Sequence, residues 1–244
     1  MAKNTGRLTT GITGFDEMMK GGLIAGSLVL VSGTPGTCKS IFASQVAYHN
    51  ALAGKKCLYL DLEQRSGDLE KQMAQFGWNL SKVKNKLKII GVDSSDPDML
   101  RFMLDEIKKD GYDLIVLDSL DSISSSPSSP EEFGKMGLEK IVSNVVPTVM
   151  DSEAIGRMKL KKIFKAIAAS RATALLTGEM MQSGPSLSRD TVSEFLCDGI
   201  IVLKAMVIGK SFNRTIQVAK MRLTEADCTV KSLSIKKGKG ISID

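Results

Sequence analysis

Residues 33 to 40, which read Gly-Thr-Pro-Gly-Thr-Cys-Lys-Ser, have the residue types and spacing of a Walker A phosphate-binding loop. In such a loop, consecutive backbone N–H groups surround phosphate oxygens, and the following helix presents its positive N-terminal end to them. The lysine reaches the β and γ phosphates, and the final hydroxyl binds Mg²⁺. The residues assigned to this site are Gly33, Thr34, Pro35, Gly36, Thr37, Cys38, Lys39 and Ser40. The sequence therefore predicts a binding site for a nucleoside triphosphate.

Cys38 departs from the usual pattern, which has glycine immediately before the lysine. It adds a small side chain where the backbone passes close to phosphate. A thiol at a helix N-terminus beside Lys39 is also expected to have a lowered pKa and to react when no nucleotide covers it. The alternative is a tolerated small residue with no regulatory role.

Two further apolar runs end in acidic residues. The run that ends at Asp118 has the Walker B arrangement, which predicts that this carboxylate lies beside the Mg²⁺ hydration shell. The run that ends at Glu63 places a second carboxylate at the sheet edge where parallel α/β proteins hold their ligands. Glu63 is therefore the candidate base for a water in line with the γ-phosphate. The alternatives are a turn-capping role for Asp118 and a solvated strand end for Glu63.

Short β-branched runs alternate with helix-like stretches and indicate the elements that position these residues. The predicted strands cover residues 27–32, 56–62, 87–92, 113–118, 172–177, 199–204 and 215–221. Predicted helices include residues 40–52 and 97–109. This alternation favours an α/β fold with a mainly parallel central sheet flanked by helices. Because no helix separates residues 215–221 from 230–243, we expect an antiparallel C-terminal edge that closes in a hairpin at Gly238.

We interpret residues 1–244 as one domain. Residues 122–130 are rich in serine and proline, which predicts a mobile loop. Residues 131–169 have helical periodicity that is interrupted around Pro147. We therefore expect a loop with a helical insertion around 122–156, which is a candidate contact for an unknown protein partner.

The composition bounds the environment of the protein. The formal net charge of +6 is compatible with polyanion binding but does not establish it, since phosphate sites need basic residues in any case. The four cysteines lack metal-site spacing. No apolar run reaches the ~20 residues of a membrane span, and no secretory leader is recognisable. We expect a cytoplasmic protein with reduced thiols and no membrane partner.

Several further segments match a known family in their order along the chain. They read Thr10-Gly-Ile-Thr-Gly-Phe-Asp16-Glu17, Leu176-Thr177-Gly178-Glu179, Ser193-Glu194-Phe195 and Lys220-Met221-Arg222. With the phosphate loop and the two acidic strands, they make the chain resemble the KaiC-like group of the RecA superfamily of ATPases, which includes relatives of the archaeal RadA recombinase. The resemblance covers nearly the whole chain.

The resemblance implies a RecA-type P-loop NTPase core that binds ATP and Mg²⁺ and hydrolyses ATP. It also implies a homo-oligomer, either a hexameric ring or a filament, with ATP between neighbouring subunits. In KaiC-like proteins a Lys-x-Arg pair reaches the γ-phosphate of the adjacent subunit, so Lys220 and Arg222 are expected to act in trans. The alternative is an exposed basic strand without a ligand. Gln64 stands where the family has a second glutamate, and an amide cannot serve as a base.

Three functions remain open at this point. The resemblance favours a regulatory or signalling ATPase. A RadA-like recombination ATPase that binds single-stranded DNA is the second, and its candidate contacts are Lys159, Lys161, Lys162 and Lys165, with Lys236, Lys237 and Lys239. The loops after Asp118 and Glu179 weaken the hypothesis of DNA binding, because they lack the aromatic residues that stack on bases. The third is a nucleotide-binding switch with negligible hydrolysis.

Overall fold

The computed structural model describes residues 6–63, 67–109, 111–127, 149–181, 184, 186–209 and 211–243. The strands are β1 Arg7–Leu8, β2 Leu23–Ile24, β3 Leu28–Gly33, β4 Cys57–Asp61, β5 Leu87–Gly91, β6 Leu114–Asp118, β7 Thr173–Glu179, β8 Gly199–Ile208, β9 Ser211–Met221, β10 Lys231–Lys236 and β11 Gly240–Ile243. The α-helices are α1 Phe15–Met18, α2 Lys39–Leu52, α3 Asp68–Gln75, α4 Met99–Ile107, α5 Leu120–Ser125, α6 Val149–Ser170 and α7 Ser193–Leu196, with a 3₁₀ turn at Leu80–Lys82.

A nine-stranded sheet in the order β11-β10-β9-β8-β3-β7-β6-β4-β5 forms the centre of the fold. The strands from β8 to β5 in this order pair in parallel. The strands from β8 to β11 pair antiparallel. The predicted α/β fold with a mainly parallel sheet and an antiparallel C-terminal edge is therefore confirmed.

Helices cover both faces of the sheet because alternate residues of each buried strand point to opposite sides. Val29 and Val31 belong to a core that includes Phe42 of α2. Leu28 and Leu30 belong to a second core, which contains Met103 of α4 and Ile163 of α6. Burial on both faces explains why these strands read as continuous apolar runs.

The hairpin of β8 and β9 is longer than the sequence indicated. Its pairing continues to Ile208 and Ser211, whereas the predicted strands stop at 204 and begin at 215. The additional residues include Met206, Val207 and Phe212, which are largely exposed. They carry no alternation of apolar and polar residues, so the pattern gave no signal for a strand.

The serine-rich segment after β6 is not entirely a loop. Helix α5 occupies Leu120–Ser125, so the prediction of a loop from residue 122 is wrong for its first part. Leu120 and Ile123 are one helical turn apart and both are buried in the second core. The hydroxyls of Ser124 and Ser125 donate to the carbonyl of Asp121, which satisfies them within the helix.

Most of the predicted insertion around 122–156, including residues 128–148, lies outside the described residues. Helix α6 begins at Val149, shortly after Pro147. The interpretation of residues 1–244 as one domain stays a prediction. Within the described part of the chain, no helix has the length and apolarity needed to cross a membrane.

Candidate functional site

The carboxyl ends of four parallel strands meet at one edge of the sheet. Gly33 at the end of β3 pairs with Glu179 at the end of β7. Asp61 at the end of β4 pairs with Asp118 at the end of β6. This edge is where ligands bind in parallel α/β folds, and it brings the predicted phosphate loop together with both predicted acidic residues.

The phosphate loop connects β3 directly to α2, which begins at Lys39. The ammonium of Lys39 donates to the carbonyl oxygens of Gly33 at 3.0 Å and Thr34 at 3.3 Å. Gly36 has a φ of 80°, in the left-handed region that favours glycine. The first turn of α2 carries no acidic residue, so its N-terminal N–H groups and partial positive charge remain available to an anion. The loop therefore fits a phosphate group.

Cys38 lies at the N-cap of α2 with a φ of 76°, in the same left-handed region. Glycine is usual at this position of the motif because other residues are strained in that conformation. Burial raises the pKa of the Cys38 thiol, although the positive charges of Arg214 and Lys39 act to lower it. The prediction of a lowered pKa is wrong, because loss of hydration outweighs the charges.

Arg214 of β9 contributes a basic side chain to the phosphate loop that the sequence did not point out. Its guanidinium contacts the Cys38 thiol and lies over the ring of Phe212 at 4.6 Å. Among the described residues, its buried Nε has no hydrogen-bond partner. Arg214 reaches this place because it pairs with Ala205, two residues beyond the partner of Gly33. Sequence reasoning lacked the register of the β8–β9 hairpin.

Asp118 is 1% exposed and is fixed by hydroxyls from two neighbouring strands. The Tyr59 hydroxyl donates to Oδ2 at 2.7 Å, and the Thr177 hydroxyl donates to Oδ1 at 2.5 Å. Burial and the negative charge of Asp118 raise the pKa of Tyr59 well above its usual value, so Tyr59 remains a donor. These two bonds hold the carboxylate in one orientation.

Glu63 follows the end of β4 and is exposed. Its carboxylate accepts a hydrogen bond from the hydroxyl of Ser119, the residue after Asp118. Its backbone N–H donates to Asp61 Oδ1 at 3.1 Å. Glu63 therefore lies beside Asp118 with a neighbour that restricts its orientation. Gln64 lies outside the described residues.

Asp121, in α5, adds a further carboxylate beside this edge. It accepts the backbone N–H of Glu179 at 2.6 Å, and Glu179 pairs with Arg189 at 3.2 Å. Burial raises the pKa of Asp121 to about 6, and the charges of Glu179 and Asp190 add to the rise. No motif in the sequence distinguishes this carboxylate.

The residues present fit Mg²⁺ bound in the manner of P-loop proteins. The hydroxyl of Ser40 is in the first turn of α2, and Asp118 is at the neighbouring strand end. No cluster of three or more His, Cys, Asp or Glu among the described residues could hold a metal on its own. Mg²⁺ does not require such a cluster, because it is usually held by one or two protein groups, water and substrate phosphates.

Lys220 and Arg222 are not at this edge. Lys220 pairs with Ile200, which pairs with Leu30, so it lies ~10 Å along the strands from Gly33. Its ammonium donates to the carbonyls of Glu194 at 2.9 Å and Cys197 at 2.7 Å. Arg222 is more exposed and pairs with Asp198 at 3.3 Å. Neither side chain is directed to the phosphate loop of its own chain.

The basic patch predicted on α6 does not include Lys159. Lys159 is completely buried, and its ammonium donates to Ser126 O at 2.7 Å, Ser126 Oγ at 2.9 Å and Pro127 O at 2.8 Å. It ties α6 to the end of α5 and is not available to a phosphate backbone. Lys161 and Lys165 are exposed.

Comparison with known proteins gives matches over most of the chain. A family model described as "ATPase: KaiC" matches residues 8–244. The circadian clock protein KaiC3 of Synechocystis is 29% identical over 237 residues, which is 97% of this chain and 45% of that protein. The circadian clock oscillator protein KaiC of Synechococcus elongatus is 27% identical over 89% of this chain and 40% of its own length. The chain thus spans less than half of these relatives.

A solved structure matches over its full length. The crystal structure of a KaiC-like protein from the hyperthermophilic archaeon Pyrococcus horikoshii OT3 has a TM-score of 0.78 and 29% sequence identity. The alignment covers 98% of this chain and 99% of that one.

Proposed function

The chain belongs to the KaiC family of ATPases, and we propose that it binds MgATP and hydrolyses it as a homo-oligomer whose neighbouring subunits complete each site. The main support is the strand register, which brings Lys39, Glu63 and Asp118 to one edge and leaves Arg222 far from that edge. A site assembled within one subunit would lack the basic pair. A hexameric ring or a filament supplies it from the neighbour.

Within one subunit, the phosphate loop holds the triphosphate through its N–H groups, and Lys39 turns from its carbonyl partners to the β and γ phosphates. Ser40 and Asp118 would hold Mg²⁺, which neutralises charge on the β and γ oxygens. Arg214 adds a positive charge beside the loop. Tyr59 and Thr177 keep Asp118 in the orientation that this role needs.

Glu63 is the proposed base. It takes a proton from a water as the water oxygen bonds to the γ-phosphorus and the bond to the bridging oxygen breaks, which gives ADP and phosphate. The hydroxyl of Ser119 keeps the Glu63 carboxylate oriented. Because Gln64 cannot share this role, hydrolysis depends on Glu63 alone among the two adjacent positions.

Of the basic pair, Arg222 is the residue proposed to reach the γ-phosphate of the neighbour. Its partly exposed ion pair with Asp198 is worth about 1 kcal/mol or less and is readily exchanged. Lys220 would lose hydrogen bonds to two carbonyls, so its proposed role is to fix the segment that carries Asp198. We expect Arg222→Ala to lower kcat with folding intact, and Lys220→Ala to lower stability as well.

The test is steady-state ATP hydrolysis by the wild type and Lys39→Ala over a range of protein concentrations, with and without single-stranded DNA. The proposal predicts turnover per subunit that rises with concentration and is lost in Lys39→Ala. Turnover that DNA stimulates would favour a recombination ATPase. Turnover no higher than that of Lys39→Ala would favour a nucleotide-binding switch.

A further inference from the structure

A second basic site lies beside β5, the outermost strand of the sheet, at the strand ends opposite the phosphate loop. A cavity of about 420 Å³ opens between the beginnings of β4 and β5. Its polar lining comprises Lys56, Lys84, Asn85, Lys86, Lys88 and Tyr112. The cavity lies beside Cys57, the first residue of β4. Asp61, the last residue of β4, is ~13 Å away, at the edge of the sheet that carries the phosphate loop. It is therefore separate from the phosphate loop.

The charges of Lys84 and Lys86 are not balanced by the described walls of this lysine cavity. None of the described residues that line it is acidic. The charge of Lys88 is neutralised by an ion pair with Glu106 at 2.6 Å. Lys84 and Lys86 are exposed and form no ion pair with any residue that the structure describes. Two like charges on one concave surface repel each other, and an anion bound between them would relieve this repulsion.

Glu106 and Asp113, the acidic residues that the structure describes near this cavity, are already committed to other contacts. Burial opposes ionisation of Glu106, but hydrogen bonds from Lys109, Lys88 and Tyr112 outweigh it and hold the pKa of Glu106 at about 2. Asp113 pairs with Lys55 at 3.8 Å and accepts the backbone N–H of Lys56. Neither carboxylate lines the cavity or is directed at Lys84 and Lys86.

We propose that this lysine cavity binds an oligophosphate, either free or as the phosphate chain of a nucleotide. Lysine ammonium groups act as flexible point charges that bind phosphate oxygens without requiring one geometry. The volume lies in the range of small-ligand sites. Asn85 adds an amide donor for the remaining oxygens.

A nucleic acid strand fits the cavity less well. Sequence-tolerant binding of single strands relies on aromatic rings that stack on bases. Tyr112 is the one aromatic residue in the lining, and the ammonium of Lys56 lies over its ring at 4.9 Å from the centroid. One face of the ring is thus occupied by Lys56, and the other lining residues offer charge and amide groups in place of stacking surfaces.

The experiment is calorimetric titration of sodium tripolyphosphate, with EDTA present, into the full chain carrying Lys39→Ala, which disables the phosphate loop. We expect one tripolyphosphate per chain and weaker binding at higher salt concentration. Adding Lys84→Ala and Lys86→Ala should weaken binding about tenfold or more, as expected when contacts worth ~1.4 kcal/mol are lost. Circular dichroism checks that each variant is folded.

The matched control adds Lys237→Ala and Lys239→Ala to the same background. These exposed lysines are in the turn between β10 and β11, at the opposite edge of the sheet, and belong to a second basic cluster that the sequence offers as a nucleic-acid contact. Their removal changes the net charge equally, so the control compares the lysine cavity with a rival basic surface. The control should bind tripolyphosphate within about twofold of the parent. Equal weakening in both variants, or no binding to the Lys39→Ala chain, would overturn the proposal.

ATP and adenosine identify the source of the phosphate. ATP binding as tight as that of tripolyphosphate would assign recognition to the phosphate chain alone, and tighter binding would identify a nucleotide; either result supports the proposal. Adenosine that binds as tightly as ATP would contradict it. The readout is binding to a chain without a working phosphate loop, so the result does not depend on ATP hydrolysis.

Discussion

Tyr59→Phe tests whether the buried tyrosine orients Asp118 for Mg²⁺. Tyr59 is fully buried, and its hydroxyl donates to the carboxylate at 2.7 Å. Phenylalanine fills the same volume, so the main loss is one hydrogen bond to a charged group, worth about 2 kcal/mol of unfolding free energy. The orienting partners of metal-binding groups typically change metal affinity by about 10–100-fold when they are removed.

Tyr112→Phe is the matched control, because its hydroxyl donates to the carboxylate of Glu106 at 2.9 Å, away from the nucleotide edge. Urea unfolding should give a similar loss for both variants. The second assay measures the Mg²⁺ concentration needed for half of the thermal stabilisation by ATP. We expect Tyr59→Phe alone to raise that concentration by at least about tenfold. An equal Mg²⁺ requirement in the two variants would refute the role of Tyr59.

Three further substitutions probe other parts of the same edge. Because the pKa of Asp121 is raised from 3.8 to about 6, the wild type loses stability as the pH rises through that window. The gain from Asp121→Asn should therefore grow by roughly 3 kcal/mol between about pH 3 and about pH 7 and then stay level, whereas parallel unfolding curves would contradict this. Cys38→Gly should raise stability by up to about 1 kcal/mol, because it relieves the left-handed backbone, and a lower melting temperature would count against that strain. Gly33→Ala should abolish ATP binding, because its Cβ would lie 2.4 Å from the Leu203 carbonyl oxygen; ATP binding of wild-type affinity in a titration would show that the loop tolerates the methyl group.

The sequence predicted the parts of the site that are encoded locally. Lys39 and Asp118 each follow an apolar strand directly, so their positions depend on a few neighbouring residues. The parallel sheet was also predictable, because strands buried on both faces read as apolar runs separated by helical stretches.

Other features depend on register between distant segments. Arg214 lies beside the phosphate loop because it pairs with Ala205, one residue beyond the predicted ends of β8 and β9, and this register is not encoded by any local pattern. Lys159 reads as an exposed basic residue, but the packing of α6 against α5 directs it to three oxygens at the end of α5. The lysine cavity combines residues from three separate segments of the chain, of which none has a recognisable motif alone.

The most direct test of the central claim mixes two inactive variants, Glu63→Gln and Arg222→Ala. The first lacks the proposed base but still binds ATP, and the second lacks the proposed contact to the neighbouring γ-phosphate. If sites form between subunits, a random equal mixture contains about one quarter of interfaces in which an intact Glu63 meets an intact Arg222. We predict that ATP turnover of the mixture rises to about that fraction of the wild-type rate. Turnover equal to the sum of the separate variants would contradict catalysis shared between subunits.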